Sequence, residues 1–187
     1  SIIQASFAHT SSSIMVGKML NTLDDVIKAP LNAAESTLAI ILAACTRSFL
    51  ITLLSIVMFS FLTDLTIHSI PLLIIFTFLG SFILGSVGFS CALFADKYDE
   101  MSGIQNFVIL PASMLSGVFF LNERLNPFFQ TIMQFNPFWY IIDGTRFAFL
   151  GIADGSITVG LFYLSGLAIV TWLISFLLYS RGYKIKT

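Results

Sequence analysis

The sequence predicts an all-α integral membrane protein. Its 187 residues are 57% hydrophobic and only 10% charged, and the mean hydropathy is +0.93. A soluble domain of this size exposes too much surface to be built from so apolar a composition. The apolar residues also form long runs, and about 20 such residues in helical conformation cross a hydrocarbon core of about 30 Å. The net charge of −1 provides no basic surface, which excludes nucleic acid as a partner.

Four apolar runs are predicted to be full spans. They cover residues 38–62, 70–94, 104–121 and 157–179. The third run is interrupted by a proline, which removes a backbone hydrogen bond and should kink the helix. In a membrane, the freed carbonyl must be satisfied by neighbours or water. The candidates for a hinge or a pathway-facing element are therefore Pro111, Ser116 and Gly117.

Small residues recur along the second span, at Ser81, Gly85, Gly88 and Ala92. Such a stripe lets helix backbones approach closely, so we interpret it as a packing seam.

Arg47, inside the first span, either snorkels to the interface or faces a protein partner or cavity, and the sequence leaves both open.

His9 has no second ligand at helical spacing, so it does not predict a metal site. Cys45 and Cys91 lie in apolar runs, where buried free thiols are the usual form.

The first 35 residues divide into two parts. Residues 1–15 have the mixture expected at the end of a preceding span. Residues 16–35 contain Met19, Leu23, Val26 and Ile27 on one helical face, which predicts a short amphipathic helix at the membrane surface, ended by Pro30. A solvated connector without a partner is the alternative that periodicity leaves open.

Residues 127–151 are apolar but are broken at Asn136-Pro137. Only about 14 residues follow the break, too few to cross, so we predict two short helices that enter the membrane and return on the same side. Asp143 and Arg146, three residues apart, are predicted to pair. An aromatic belt at the interface, including Tyr140, is the alternative interpretation.

This topology agrees with the distribution of positive charge. With four crossings, residues 1–35 and the tail 180–187 lie on the same side, and by the positive-inside rule that side is cytoplasmic. Six Lys and Arg residues outside the spans then face the cytoplasm, whereas only Arg124 and Arg146 face the exterior. The six are Lys18, Lys28, Lys97, Arg181, Lys184 and Lys186.

The sequence contains no phosphate-binding loop, zinc-protease motif, nucleophile elbow or C-x-x-C pair. We therefore expect no catalysis by the chain itself, and any energy must come from a partner or a gradient.

Four motifs, taken in order and spacing, carry a resemblance. They are a Phe-Ser-Ser-Lys pattern between Phe7 and Lys18, TLDDVIKAP at 22–30, SGVFF at 116–120 and NPFWYIIDGTR at 136–146. Together they resemble the ABC-2 type permeases, the membrane subunits of bacterial ABC exporters. The resemblance covers essentially the whole chain and matches the C-terminal part of such a subunit, so we expect further spans before Ser1.

The resemblance implies an ABC-2 type permease fold with four full transmembrane helices, an amphipathic cytoplasmic coupling helix and an extracellular re-entrant pair. It also implies a homodimer in the bacterial inner membrane with two copies of a separate ATPase, which binds the ATP and Mg²⁺; this chain itself is expected to bind no cofactor. The residues it places at the ATPase contact are Thr22, Asp24, Asp25, Lys28, Pro30, Asp96, Asp99 and Glu100. The residues it places in the exit region are Asn136, Pro137, Tyr140, Asp143 and Arg146.

The function expected from the resemblance is export of a hydrophobic or amphipathic substrate, such as a drug, a polysaccharide or a lipid-linked molecule, by alternating access. A channel or gradient-driven carrier is the main alternative, and would be favoured by an acidic residue inside a span or by internal repeats. A membrane scaffold that transports nothing is a third interpretation.

Overall fold

The computed structural model describes residues 2–20, 32–62, 67–116 and 135–181. Within these ranges the regular structure is helical, which confirms the all-α prediction there. The elements are α1 (Ile2–Met19), α2 (Ala33–Ser60), α3 (Ile70–Phe94), α4 (Tyr98–Ile104), a π-helical turn (Gln105–Ile109), α5 (Leu110–Met114), α6 (Pro137–Leu150) and α7 (Ile157–Ser180).

Among the described helices, α2, α3 and α7 are long and apolar enough to cross a membrane. The shortest, α7, has 24 residues, or about 36 Å, more than a hydrocarbon core of about 30 Å. α3 covers the predicted residues 70–94, and α7 extends one residue past the predicted end. α2 begins at Ala33 rather than at residue 38, because the Glu35 carboxylate accepts a hydrogen bond from the N–H of Asn32 (3.0 Å) and caps an additional turn.

The predicted count of four full spans is not confirmed. Where the span 104–121 was expected, helix begins earlier, at Tyr98, and continues through the π turn to Met114. In that turn the N–H of Leu110 donates to the carbonyl of Gln105, five residues earlier. The ring of Pro111 crowds the carbonyl four residues before it, and the wider π spacing relieves this crowding. Residues 117–134, which include Gly117, lie outside the described residues.

α1 is longer than the predicted helix end at residues 1–15, since it continues to Met19. Ile14 and Met15 are buried in a cluster with Leu93 of α3, which holds this last part of the helix in place. The first residues assigned from sequence to the amphipathic segment therefore belong to α1. The middle part of that predicted amphipathic segment, residues 21–31, lies outside the described residues.

α3 is the central helix and packs against α1, α2, α6 and α7. The predicted packing seam on this helix is confirmed, because all four of its small residues are buried. A Cβ on Gly88 would lie 2.8 Å from the carbonyl oxygen of Phe7, so the backbone of α1 approaches α3 closely there. A Cβ on Gly85 would lie 3.5 Å from Ile41 of α2. Cys45 and Cys91 are free thiols.

The bundle has two distinct ends. At the first, called here the Lys18 end, Lys18 of α1 contacts the C-terminus of α3, and Phe89 of α3 packs on Tyr179 of α7 with ring centroids 5.9 Å apart. The last turns of α1, α3 and α7 therefore lie together. At the other, called the Gly151 end, the N–H of Ser69 donates to the carbonyl of Ala148 (2.9 Å), so α3 begins where α6 finishes.

Candidate functional site

The predicted site residues within the described chain lie at both ends of the bundle. Asp96, Asp99 and Glu100 are exposed at the Lys18 end. The predicted exit-region motif from Asn136 to Arg146 forms the N-cap, start and middle of α6, which leads to the Gly151 end. The remaining residues of the predicted ATPase contact, Thr22, Asp24, Asp25, Lys28 and Pro30, lie outside the described residues.

Lys18 joins α1 to α3 at the Lys18 end. Its Nζ donates hydrogen bonds to the carbonyl oxygens of Ala92 (2.8 Å), Leu93 (2.8 Å) and Ala95 (3.0 Å). The last carbonyls of a helix have no partner inside the helix and carry its negative dipole end, so a lysine is well matched to them. Lys18, four residues before Thr22 of the predicted ATPase contact, thus joins the end of α1 to Ala95, the residue just before the acidic loop.

The acidic loop has its own local order. Glu100 Oε2 accepts a hydrogen bond from the N–H of Asp96 (3.1 Å), which closes the loop across the first turn of α4. Because the side chains of residues 96–100 are exposed, the carboxylates of Asp99 and Glu100 are accessible at the end of the bundle.

Asn136 connects α6 to α5. Its Oδ1 accepts a hydrogen bond from the N–H of Phe138 (3.1 Å) and caps α6, whose first residue is Pro137. Its Nδ2 donates to the carbonyl of Ala112 (2.8 Å) and to Ser116 Oγ (3.1 Å). The Asn136-Pro137 break therefore lies against the end of the helix that contains Pro111. The sequence predicted both features but did not place them in contact.

The start of α6 lies deep along α7. Tyr140 packs on Tyr163, with ring centroids 4.9 Å apart, and a Cβ on Gly160 would lie 3.1 Å from the Tyr140 ring. The hydroxyl of Tyr163 donates to the carbonyl of Phe135 (2.9 Å). Since α6 begins one turn before Tyr140, its N-terminus lies roughly 10–15 Å along α7 from the first residue of that helix. From there α6 runs back towards the Gly151 end.

Asp143 organises the loop between α6 and α7. This carboxylate is buried and accepts hydrogen bonds from the N–H groups of Asp154 (2.8 Å) and Gly155 (3.0 Å). The loop returns over Asp143 because α6 ends at Gly151, whose φ of 72° is in the left-handed region. Gly155 lies directly against the ring of Trp139, leaving no space for a side chain.

The predicted pairing of Arg146 with Asp143 is corrected by the structure. The salt bridge of Arg146 is with Asp154, at 2.6 Å, and both side chains are about one quarter exposed. Helical spacing within α6 favoured Asp143, but the loop presents a second carboxylate beside Arg146 and two backbone donors beside Asp143. Each acidic group is thereby satisfied by a different partner.

Sequence reasoning missed Lys18, Asp154 and Tyr163 as contributors to these contacts. Lys18 carried a signal, since a lysine in the last turn of a helix is suited to hydrogen-bonding the free carbonyls at a helix end. The sequence did not indicate which helix would supply these carbonyls. Asp154-Gly155 carried the signal of a turn. Nothing in the sequence indicates that Tyr163 reaches the backbone of Phe135.

Comparison with known proteins gives one family. The family model for the ABC-2 type transporter (ABC2_membrane) matches residues 1–150. Among curated proteins, the chain is 25% identical over 187 residues to the inner membrane transport permease YadH of Escherichia coli (strain K12), which covers 100% of this chain and 73% of that protein. The YadH permease of Shigella flexneri matches with the same identity and coverage. No solved structure matches the chain significantly.

Proposed function

Because the chain belongs to the ABC-2 type transporter family, we propose that it is the permease subunit of an ATP-driven exporter in the bacterial inner membrane. As a transporter permease it contributes apolar spanning helices, of which α2, α3 and α7 are long enough to cross. A separate ATPase supplies the energy and binds ATP and Mg²⁺. Two copies of this chain and two of the ATPase form the working unit.

The observation that carries this proposal is the arrangement at the Lys18 end. The predicted coupling segment, residues 22–30, follows α1 in the sequence, and the acidic loop, residues 96–100, follows the end of α3. Lys18 ties these two helix ends together through three hydrogen bonds. An ATPase that pushes on either segment would therefore move α1 and α3 as one unit. ATP can favour one arrangement of the permease only if its free energy is transmitted through such a contact.

The geometry of α6 supports the proposed exit region. A helix that starts roughly 10–15 Å along α7 and runs back towards the Gly151 end has the form of one half of a re-entrant pair. Asn136 Nδ2 satisfies the carbonyl of Ala112 at its starting point, as non-helical backbone at membrane depth requires. In the proposed orientation the Lys18 end is cytoplasmic and the Gly151 end faces outwards. The substrate is a hydrophobic or amphipathic molecule that passes between two permease copies and leaves beside α6.

The proposal is tested by replacing Asp24, Asp25 and Lys28 together with Ala in the intact chain, reconstituted with the ATPase that copurifies with it. ATP hydrolysis and export of a fluorescent amphiphile are measured in the same vesicles. We expect hydrolysis to persist while export falls at least about tenfold, the ratio for a loss of about 1.4 kcal/mol of coupling.

The matched control is Arg181→Gln, which removes an exposed charge at the same end of the bundle, outside the predicted contact. It should leave both rates unchanged. Unchanged export in the triple variant would refute the assignment of residues 22–30, and the absence of any copurifying ATPase would refute the exporter itself.

A further inference from the structure

The side-chain amide of Asn136 caps two helices at once. Its Oδ1 accepts a hydrogen bond from the N–H of Phe138 (3.1 Å) in the first turn of α6, and its Nδ2 donates to the carbonyl of Ala112 (2.8 Å) near the end of α5. Terminal groups of this kind have no partner inside their own helix. The N–H of Ser116, which would reach Ala112 in a longer helix, donates instead to the carbonyl of Ser113 (3.4 Å). Asn136 therefore holds the end of α5 against the start of α6.

A second amide holds α5 to α1. Gln4 Nε2 donates a hydrogen bond to Ser113 Oγ (2.7 Å). None of the residues Leu110–Met114 of α5 is buried, and Ala112 packs on the neighbouring apolar cluster with only a partly buried methyl group. Two polar side chains, and not a buried apolar face, thus keep α5 in place.

The helix is anchored immediately before this segment. Ile109, the last residue of the π turn, is buried in the cluster that includes Met101 of α4 and Phe89 of α3. The π turn and Pro111, two residues after it, are both features at which helices bend. α5 is therefore joined to a fixed helix through a point at which it can pivot.

The backbone of α5 stays satisfied when the two amides withdraw. Ser116 Oγ also donates to the carbonyl of Ala112, so this carbonyl keeps a hydrogen bond without Asn136. Ser113 Oγ keeps its bond to the carbonyl of Leu110 (2.8 Å) without Gln4. Each amide contact is then worth one net hydrogen bond, or about fivefold in the ratio of two positions of α5.

The depth of α5 in the membrane agrees with a role at the exit. α4 begins at Tyr98, next to the exposed acidic loop, and α5 begins at Leu110, roughly 18 Å further along. This places α5 past the middle of a hydrocarbon core of about 30 Å, in the half nearer the Gly151 end. In the proposed function that half is the outward one, and the substrate leaves beside α6.

We propose that α5 is a movable gate beside the exit, and that the amides of Asn136 and Gln4 are the latch that holds it against α6 and α1. In the held position, which the structure shows, both amides are bonded to α5. In the displaced position, α5 has turned about the π turn and both bonds are broken. The role of the gate in export rests on the proposed function, whereas the latch is a property of the chain alone. ATP opens the gate only by favouring the displaced position over the held one.

The latch is tested by double electron–electron resonance on the intact chain in nanodiscs, without ATPase or nucleotide. Spin labels are attached to cysteines at Met114 of α5 and Val170 of α7, which are 47% and 51% exposed. The background carries Cys45→Ala and Cys91→Ala, and labelled chain is diluted with unlabelled chain so that each distance lies within one molecule.

Asn136→Ser keeps a residue that caps α6 but removes the Nδ2 donor to α5. We expect it to raise the ratio of displaced to held α5 about fivefold, the ratio for one net hydrogen bond. Gln4→Leu should have an effect of the same size. The double variant should raise the ratio roughly 25-fold, because the two amides hold α5 from different helices.

Tyr163→Phe is the matched control. It removes a hydrogen bond to the carbonyl of Phe135, the residue before Asn136, without touching α5. It should leave the distances as in the wild type. A second label pair, at Leu54 of α2 and Val170, should not move in any variant, since neither helix belongs to the gate. The latch is overturned if the double variant leaves α5 in place, if Tyr163→Phe displaces it equally, or if the second pair moves as well.

The role in export is tested on the complex with the copurifying ATPase. A non-hydrolysable ATP analogue should shift α5 of the wild type towards the position found in the double variant without nucleotide. An unmoved α5 in a complex that hydrolyses ATP and exports would overturn the gate and leave the exporter intact. Absence of a copurifying ATPase would refute the exporter, while the displacement by Asn136→Ser, measured without it, would still establish the latch.

Discussion

Gly144 offers a sharp test of how α6 is seated on α3. A Cβ placed on this residue would overlap three ring atoms of Phe76. Phe76 is fully buried in the cluster between α3, α6 and α7, so its ring has no free space to move into. Gly144→Ala should therefore force α6 away from α3 or strain the ring.

The magnitude follows from two opposing terms. Replacing glycine by alanine inside a helix gains up to about 1 kcal/mol from helix propensity. Overpacking a filled core costs about 1–3 kcal/mol, and the enclosed ring of Phe76 places this site at the upper end. We expect the free energy of unfolding to fall by about 1–2 kcal/mol.

Gly166→Ala in α7 is the matched control, because a Cβ there meets no atom within 4 Å. It keeps the propensity gain and has no overpacking cost in the chain, so it should leave stability unchanged or raise it. Phe76→Leu supplies the second control, since the smaller side chain makes room for the new methyl group. In the double variant, Gly144→Ala should cost at least about 0.5 kcal/mol less than it does alone.

The assay is SDS titration in mixed micelles, followed by the fluorescence of Trp139, which lies on α6, and of Trp172 on α7. Equal shifts for the variants at Gly144 and Gly166 would refute the packing argument. Additive effects of the changes at Gly144 and Phe76 would show that the two residues are not in contact.

Two further predictions use the same titration. Lys18→Met removes three hydrogen bonds from the end of α3 and should cost about 1–2 kcal/mol, of which Lys18→Arg recovers part; an unchanged Lys18→Met would refute the connection of α1 to α3. Asp143→Asn leaves one of two backbone N–H groups facing an amide donor and should cost about 1–3 kcal/mol, whereas Asp154→Asn weakens only a partly exposed salt bridge and should cost about 0–1 kcal/mol. The reverse order would restore Arg146 as the main partner of Asp143.

The sequence was sufficient to predict the three helices long enough to span the membrane. The residues of α3 and α7 form uninterrupted apolar runs, and hydrophobicity with length alone decides such elements. The packing seam on α3 was predictable for a similar reason, because small residues at helical spacing have one common use in membranes. Both features depend on the local sequence and not on which other segment lies nearby.

The contacts of Asp143 and Lys18 were not predictable, because their partners come from elsewhere in the chain. Asp143 accepts hydrogen bonds from residues 11 and 12 positions later, and Lys18 donates to carbonyls at least 74 positions later. The spacing within α6 indicated Arg146 as a partner for Asp143. The sequence did not indicate that the loop after Gly151 turns back and brings other groups beside Asp143. Backbone groups, which form most of these contacts, have no signature in the side-chain sequence.

A single helix, α3, connects the two ends of the bundle. Lys18 is hydrogen-bonded to the C-terminal end of α3, and α6 packs closely against the N-terminal half of α3. In that half, a Cβ on Gly80 would lie 2.9 Å from Ile141 of α6, and Phe76 lies against Gly144 of α6. Two helices fitted this closely cannot slide independently, since packed interfaces respond by shifting as a whole or not at all. In the proposed exporter, a movement of the coupling segment therefore reaches α6 through α3 and does not require a change within any helix.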